Sequence, residues 1–201
     1  MQNKKRCEWV NLTKPDYLEY HDVEWGVPVF EDKKMFEFLT LESAQAGLSW
    51  YTILRKRENY REAFDGFHPA KIAEYDDKKI EELMMNEGII RNRMKINAAV
   101  NNAKRFLDVQ REFGTFSKYI WGFVGKKPIV NDIEKISDIP VTSAVSDALS
   151  NDLKKRGFKF LGSTICYAHL QATGLINDHC NDCFRKKEVM KEFRNKSGLI
   201  D

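Results

Sequence analysis

Apolar residues return at steps of three and four along almost the whole chain, and that spacing commits it to helices. Asp32 is placed to cap a helix that carries Met35, Phe38, Leu39 and Ala46 on one stripe. Ser49 opens a second helix, with Trp50, Ile53, Leu54, Arg57 and Phe64 along one side. Pro69 suits the first turn of a short helix. A stretch from about Lys79 to Asn86 stops before Gly88, and a longer helix then runs to about Phe106. Its residues Ile96, Ala99, Val100, Ala103 and Phe106 share one face. Ser146 caps a helix that ends in Lys154-Lys155-Arg156-Gly157, cations and a glycine where the helix dipole favours them. Ser163 to Gly174 brackets one more. Extended runs such as Pro128-Ile129-Val130 are too short for a sheet, so the expected fold class is all-α.

A chain of 201 residues, 42% of them apolar, has enough core for one domain without disulfides. No apolar run approaches the ~20 residues of a membrane span. The basic N-terminus has no apolar segment behind it, so a signal peptide is not expected and a cytoplasmic setting is. The net charge of +3 neither demands nor excludes nucleic acid. There are four cysteines, Cys7, Cys166, Cys180 and Cys183. In a reducing compartment they are free thiols or metal ligands. His179 and Cys183 stand four apart, which places an imidazole and a thiolate on one helical face. Cys7 and His21 supply the other half of the Cys2His2 composition of a structural zinc site. Spacing alone does not pair the two halves, and Cys180-x-x-Cys183 also fits a redox motif.

Two further features carry chemistry. Glu42 shares the apolar stripe of Phe38, Leu39 and Ala46. A carboxylate there is paired with a cation or sits at a pocket, because burial alone costs several kcal/mol. Trp9, Tyr17, Tyr20 and Trp25 crowd an N-terminal segment with little helical periodicity. Such rings form core, or they form a box for a planar heterocycle whose exocyclic amine meets the acid. Clustered cations at Arg55-Lys56-Arg57, around Gly88 (Arg91, Arg93, Lys95) and around Gly157 are solvated faces or phosphate contacts. The Gly88 turn between two helices also suits a helix-hairpin-helix whose amides approach a phosphate.

Several blocks resemble the 3-methyladenine DNA glycosylase I family, in the same order and from Cys7 to Cys183. They include Cys7-Glu8-Trp9-Val10, Tyr20-His21-Asp22-Val23-Glu24-Trp25-Gly26-Val27-Pro28 and Leu41-Glu42-Ser43-Ala44-Gln45-Ala46-Gly47-Leu48-Ser49-Trp50. Lys154-Lys155-Arg156-Gly157-Phe158-Lys159-Phe160, Thr164-Ile165-Cys166-Tyr167 and Asn177-Asp178-His179 continue the match. The resemblance implies an all-α helix-hairpin-helix DNA glycosylase fold, one domain over 1–183; residues 184–201 lie beyond it and are expected to form a C-terminal tail. It implies one structural zinc ion on Cys7, His21, His179 and Cys183, tying the chain ends together. The family's base-binding residues fall on Glu42, Tyr17, Tyr20, Trp50, Trp9 and Trp25, and its wedge at the lesion on Gly47 and Leu48, with Gln45 close by.

The implied activity is base-excision repair: hydrolysis of the N-glycosidic bond of N3-methyladenine in alkylated double-stranded DNA, with free 3-methyladenine as product. The base is flipped into the pocket and Glu42 accepts from its amine. No hairpin lysine is placed for a Schiff base, so a monofunctional enzyme is expected; as a small repair enzyme working on duplex, it is expected to act as a monomer. After Gly88 the chain reads Ile89-Ile90-Arg91, without the second hairpin glycine or the downstream catalytic aspartate common in the wider superfamily. Two rivals remain: a non-catalytic module that holds damaged DNA, and a zinc that activates water. A closed set of four ligands disfavours the second.

Overall fold

The computed structural model describes residues 4–196 and Gly198, and it is mostly helical. Of the expected tail, Ser197 and residues 199–201 lie outside the described residues. Helix α1 (Pro15–Glu19) runs directly into a π turn, Tyr20–Glu24. Then come α2 (Asp32–Gln45), α3 (Trp50–Leu54), α4 (Arg57–Ala63), α5 (Pro69–Ala73) and α6 (Asp77–Met85). The long α7 (Arg93–Phe113) leads to α8 (Phe116–Gly122), and α9 (Ala144–Lys155) and α10 (Ser163–Ala172) form a second hairpin. The last helix is α11 (Phe184–Lys196). Pro128-Ile129-Val130 is not wholly irregular: β1 (Ile129–Val130) pairs in parallel with β2 (Ile176–Asn177), a two-residue clasp.

Helix α2 is the centre of the molecule. Every residue from Met35 to Ala44 is buried, so the single apolar stripe expected for it is too narrow a description. The helix therefore buries two acids, Glu37 and Glu42, and they meet different fates. Glu37 takes cations: Arg57 Nε and a terminal nitrogen of Arg61 lie 2.7 and 2.8 Å from its Oε1, and Lys34 Nζ 3.2 Å from Oε2. Arg57 also grips Glu24 through both terminal nitrogens at 2.7 and 2.8 Å, which ties α4 to the N-terminal segment. Among the described residues, no arginine or lysine pairs with Glu42 in this way.

Several capping expectations change hands. Asp32 is the first residue of α2 and does not cap it; its carboxylate accepts from the amides of Phe116 and Ser117, both at 2.8 Å, and so caps α8. Ser49 caps as expected, accepting from Thr52 N, but the helix it opens breaks at Arg55–Lys56 into α3 and α4. Ser143 caps α9, with Ser146 as its reciprocal partner. Helix α7 continues past Phe106 to Phe113. Phe193 of α11 stacks on Trp121 with centroids 5.6 Å apart, which seats this helix on the main core.

Gly88 does lie in a turn between two helices, α6 and α7. A Cβ there would stand 2.9 Å from Asn59 Cβ and Asn86 Oδ1. The turn is satisfied from within: the amides of Gly88 and Ile89 bond to Asn86, Ile90 N bonds to the Tyr60 hydroxyl, and Lys56 and Asn59 donate to the Gly88 carbonyl. Those amides are not available to a phosphate. The α9–α10 turn is different, since no side chain among the described residues caps the first turn of α10.

Candidate active site

The N-terminal rings form one wall of a cavity of about 390 Å³, within the range of small-molecule sites. Trp9 meets Trp25 edge-on at 5.0 Å and Tyr17 at 5.2 Å, and Tyr20 meets Trp50 at 5.3 Å. Two purposes meet in the π turn: Tyr20 reaches the cavity while His21, next in sequence, is buried against Cys183. Trp9, Tyr17, Tyr20, Trp25, Glu42, Gln45 and Trp50 all line this single cavity. Ile136, Ile139, Pro140 and Val141 close it from a loop, and Ala168, Gln171 and Ala172 from α10.

Glu42 is 2% exposed. Its Oε2 accepts from His169 Nδ1 at 2.8 Å, and its Oε1 has no partner among the described residues. The indole nitrogen of Trp50 is likewise buried and unpartnered. Two residues of the cavity lining thus carry buried polar atoms, one acceptor and one donor, whose demands are unmet, a cue for a polar ligand. Burial raises the pKa of Glu42, and the neighbouring His169 opposes that rise. Burial, and then the charges of Glu42 and Glu24, raise Tyr20 well above the usual phenol value, so it stays neutral.

Gly47 and Leu48 lie outside the cavity. Gly47 has φ +80°, with nothing within 4 Å of where a Cβ would stand, a left-handed turn that glycine adopts without strain. Leu48 beyond it is 40% exposed. Lys95, expected among the cations after Gly88, instead donates to the carbonyls of Ala44 and Ala46 at 2.8 and 2.6 Å. It closes the C-terminus of α2 and holds the turn that projects Leu48.

Across the aromatic wall, Cys7, His21, His179 and Cys183 converge, all buried, with ligand atoms within 4.8 Å of one another. Cys7 Sγ to His179 Nδ1 is 3.5 Å, Cys183 Sγ to His21 Nε2 3.5 Å and Cys183 Sγ to His179 Nδ1 3.6 Å. Tetrahedral bonds of roughly 2.3 Å to sulfur and 2.0 Å to nitrogen require S···N edges of about 3.5 Å, so these three edges match those around a tetrahedral ion. The other ring nitrogens are already fixed: His21 Nδ1 donates to Asp22 at 2.8 Å, and His179 Nε2 donates to the Trp25 carbonyl at 3.1 Å. Arg6 grips Asp22 and, with His21, holds its carboxyl below the usual range against the upward push of burial. Cys180 and Cys166 are buried outside the set.

Nothing in the sequence marks His169 or the Ile136–Val141 loop as part of a site. His169 is one residue in an apolar helix, and its partner stands 127 positions away, a distance no motif spans. The loop has no periodicity to single it out.

Helices thus pack around an aromatic cavity whose lining includes one half-paired buried acid. The family model described as methyladenine glycosylase matches residues 9–186. The chain is 51% identical over 178 residues to the DNA-3-methyladenine glycosylase of Haemophilus influenzae, covering 89% of this chain and 96% of that one. It is 49% identical over 179 residues to DNA-3-methyladenine glycosylase 1 of Escherichia coli, with 89% and 95% covered. The solved 3-methyladenine DNA glycosylase I of Staphylococcus aureus, a structure concerned with 3-methyladenine recognition, superposes with a TM-score of 0.87 at 41% identity, over 90% of this chain and 96% of that one. The chain belongs to the methyladenine glycosylase family. It is an enzyme, a hydrolase of N-glycosyl bonds.

Proposed function

We propose that this enzyme excises N3-methyladenine from alkylated double-stranded DNA by hydrolysis, leaving an abasic site and free 3-methyladenine. The observation that carries this reading is the free Oε1 of Glu42 in a cavity walled by Trp9, Tyr17, Tyr20, Trp25 and Trp50. Methylation at N3 gives the nucleotide's adenine a positive charge and weakens its bond to the sugar, so recognition does more than acid catalysis. Electron-rich ring faces and an anion favour that cation over neutral adenine. Glu42 Oε1 accepts from the exocyclic amine, and Trp50 Nε1 is a donor available to a ring nitrogen.

The base must leave the stack to arrive there, at a cost of a few kcal/mol. Leu48, carried on the exposed turn after Gly47 with Gln45 behind it, is the wedge that fills the vacated space. The helix-hairpin-helix belongs to α9 and α10, because the opening turn of α10 keeps its amides free while the Gly88 turn has spent its own. Lys159 and the cations that end α9 flank it. Cys7, His21, His179 and Cys183 hold one structural zinc ion, which supplies folding energy and no step of the reaction. The fold unit is a single glycosylase domain, and α11, seated on the core through Phe193, is part of it and not the separate tail expected over 184–201. The enzyme works as a cytoplasmic monomer; no helix among the described residues is long and apolar enough to cross a membrane.

Incubation with methylated duplex is expected to release 3-methyladenine, read by chromatography of the freed bases. DNA that is bound without any base release would favour the non-catalytic module instead.

A further inference from the structure

A buried histidine ordinarily uses both ring nitrogens, and His169 uses one. Its ring is fully buried on α10 and does not line the cavity. Nδ1 stands 2.8 Å from Glu42 Oε2, and Nε2 has no partner among the described residues. A carboxylate only accepts, so Nδ1 carries the hydrogen. A second hydrogen on Nε2 would be a buried donor facing no acceptor, which disfavours the charged ring. With Glu42 ionised, the pair is a carboxylate and a neutral imidazole, and its net charge is negative. Glu37, earlier on the same helix, shows the alternative: there arginines cancel the charge.

We infer that neutral His169 is a positioning residue for base recognition: it pins Glu42 Oε2, leaves Oε1 as the one oxygen offered to the base, and keeps the anion uncancelled. The inference rests on Glu42 being the acceptor for the base. An arginine or lysine at the same place would also pin the carboxylate, but it would neutralise the charge that a cationic purine seeks. Phenylalanine would fill the space and pin nothing. Asparagine is the informative replacement, since its amide can place an N–H near the position of Nδ1.

The test uses the full chain with His169→Phe and His169→Asn. Free 3-methyladenine binding is measured by calorimetry, single-turnover release from methylated duplex by chromatography, and folding by thermal melting. His169→Phe should bind the base about tenfold or more weakly, the loss expected of a charge-assisted hydrogen bond, and His169→Asn should stay within about threefold of the parent. Nitrogen-15 spectra of the unaltered protein at neutral pH should show this ring neutral with its hydrogen on Nδ1. Phenylalanine binding within threefold, asparagine as weak as phenylalanine, or a charged or Nε2-protonated ring would each overturn the inference. If the phenylalanine variant does not fold, the asparagine variant and the spectra decide. A parent that binds no 3-methyladenine would instead remove the reading of Glu42 itself.

Discussion

Glu42 is ionisable, buried and only half hydrogen-bonded, so the feature that equips the cavity works against the fold. Burial raises its pKa above the ordinary 4.5, with His169 opposing. The folded state thus holds this proton more tightly than the unfolded state does. Its contribution to stability is fully present below 4.5 and is lost as pH rises through the raised value. Glu42→Gln removes the ionisation and keeps the shape. With its carbonyl turned to His169, the amide would point a donor where the base needs an acceptor. The variant is expected to melt higher than the parent at neutral pH, to lose that decline with rising pH, and to bind free 3-methyladenine about 10- to 100-fold more weakly, the loss for a hydrogen bond to a charged group. Melting curves from acid to neutral pH and calorimetric titration check both halves. A variant that melts lower would place Glu42 among the supports of the fold.

At the scale of elements, the turn after α2 depends on a cation from α7. Lys95 Nζ bonds to the carbonyls of Ala44 and Ala46, which are otherwise the orphan acceptors of a helix end. Burial lowers its pKa. Lys95→Met keeps the aliphatic stem and removes both bonds. We expect a loss of about 1–3 kcal/mol in denaturant unfolding, near-parental binding of free 3-methyladenine, and slower release from methylated duplex because the Leu48 turn is no longer held. Parental release would show that the turn needs no such clamp. Neither this role nor that of Asp32 was legible along the chain. Lys95 reads as one of three cations after a glycine, and Asp32 reads as the cap of the helix it begins. Capping rules are local, and both side chains reach across to other helices.

Across the whole molecule, the Cys2His2 cluster joins the N-terminal segment to the residues before α11, and it backs directly onto the aromatic wall through Trp25. Removal of a bound ion would leave two thiols and two imidazoles buried in a space shaped for it. Treatment with a strong chelator, or Cys7→Ser, is therefore expected to lower the melting temperature and to reduce 3-methyladenine binding in step with loss of metal, measured by elemental analysis. Full stability without metal would show that the four residues pack on their own. The helical class, the crowding of rings near the N-terminus and the candidacy of Glu42 were all present in the chain, because periodicity, composition and the cost of a lone buried acid are properties a linear pattern can carry. The tertiary structure alone decided which buried acid receives arginines and which a histidine, which turn keeps its amides free, and which side chains close the cavity. Those outcomes depend on contacts such as that between Glu42 and His169, 127 positions apart, and their energies exist only once the helices have packed.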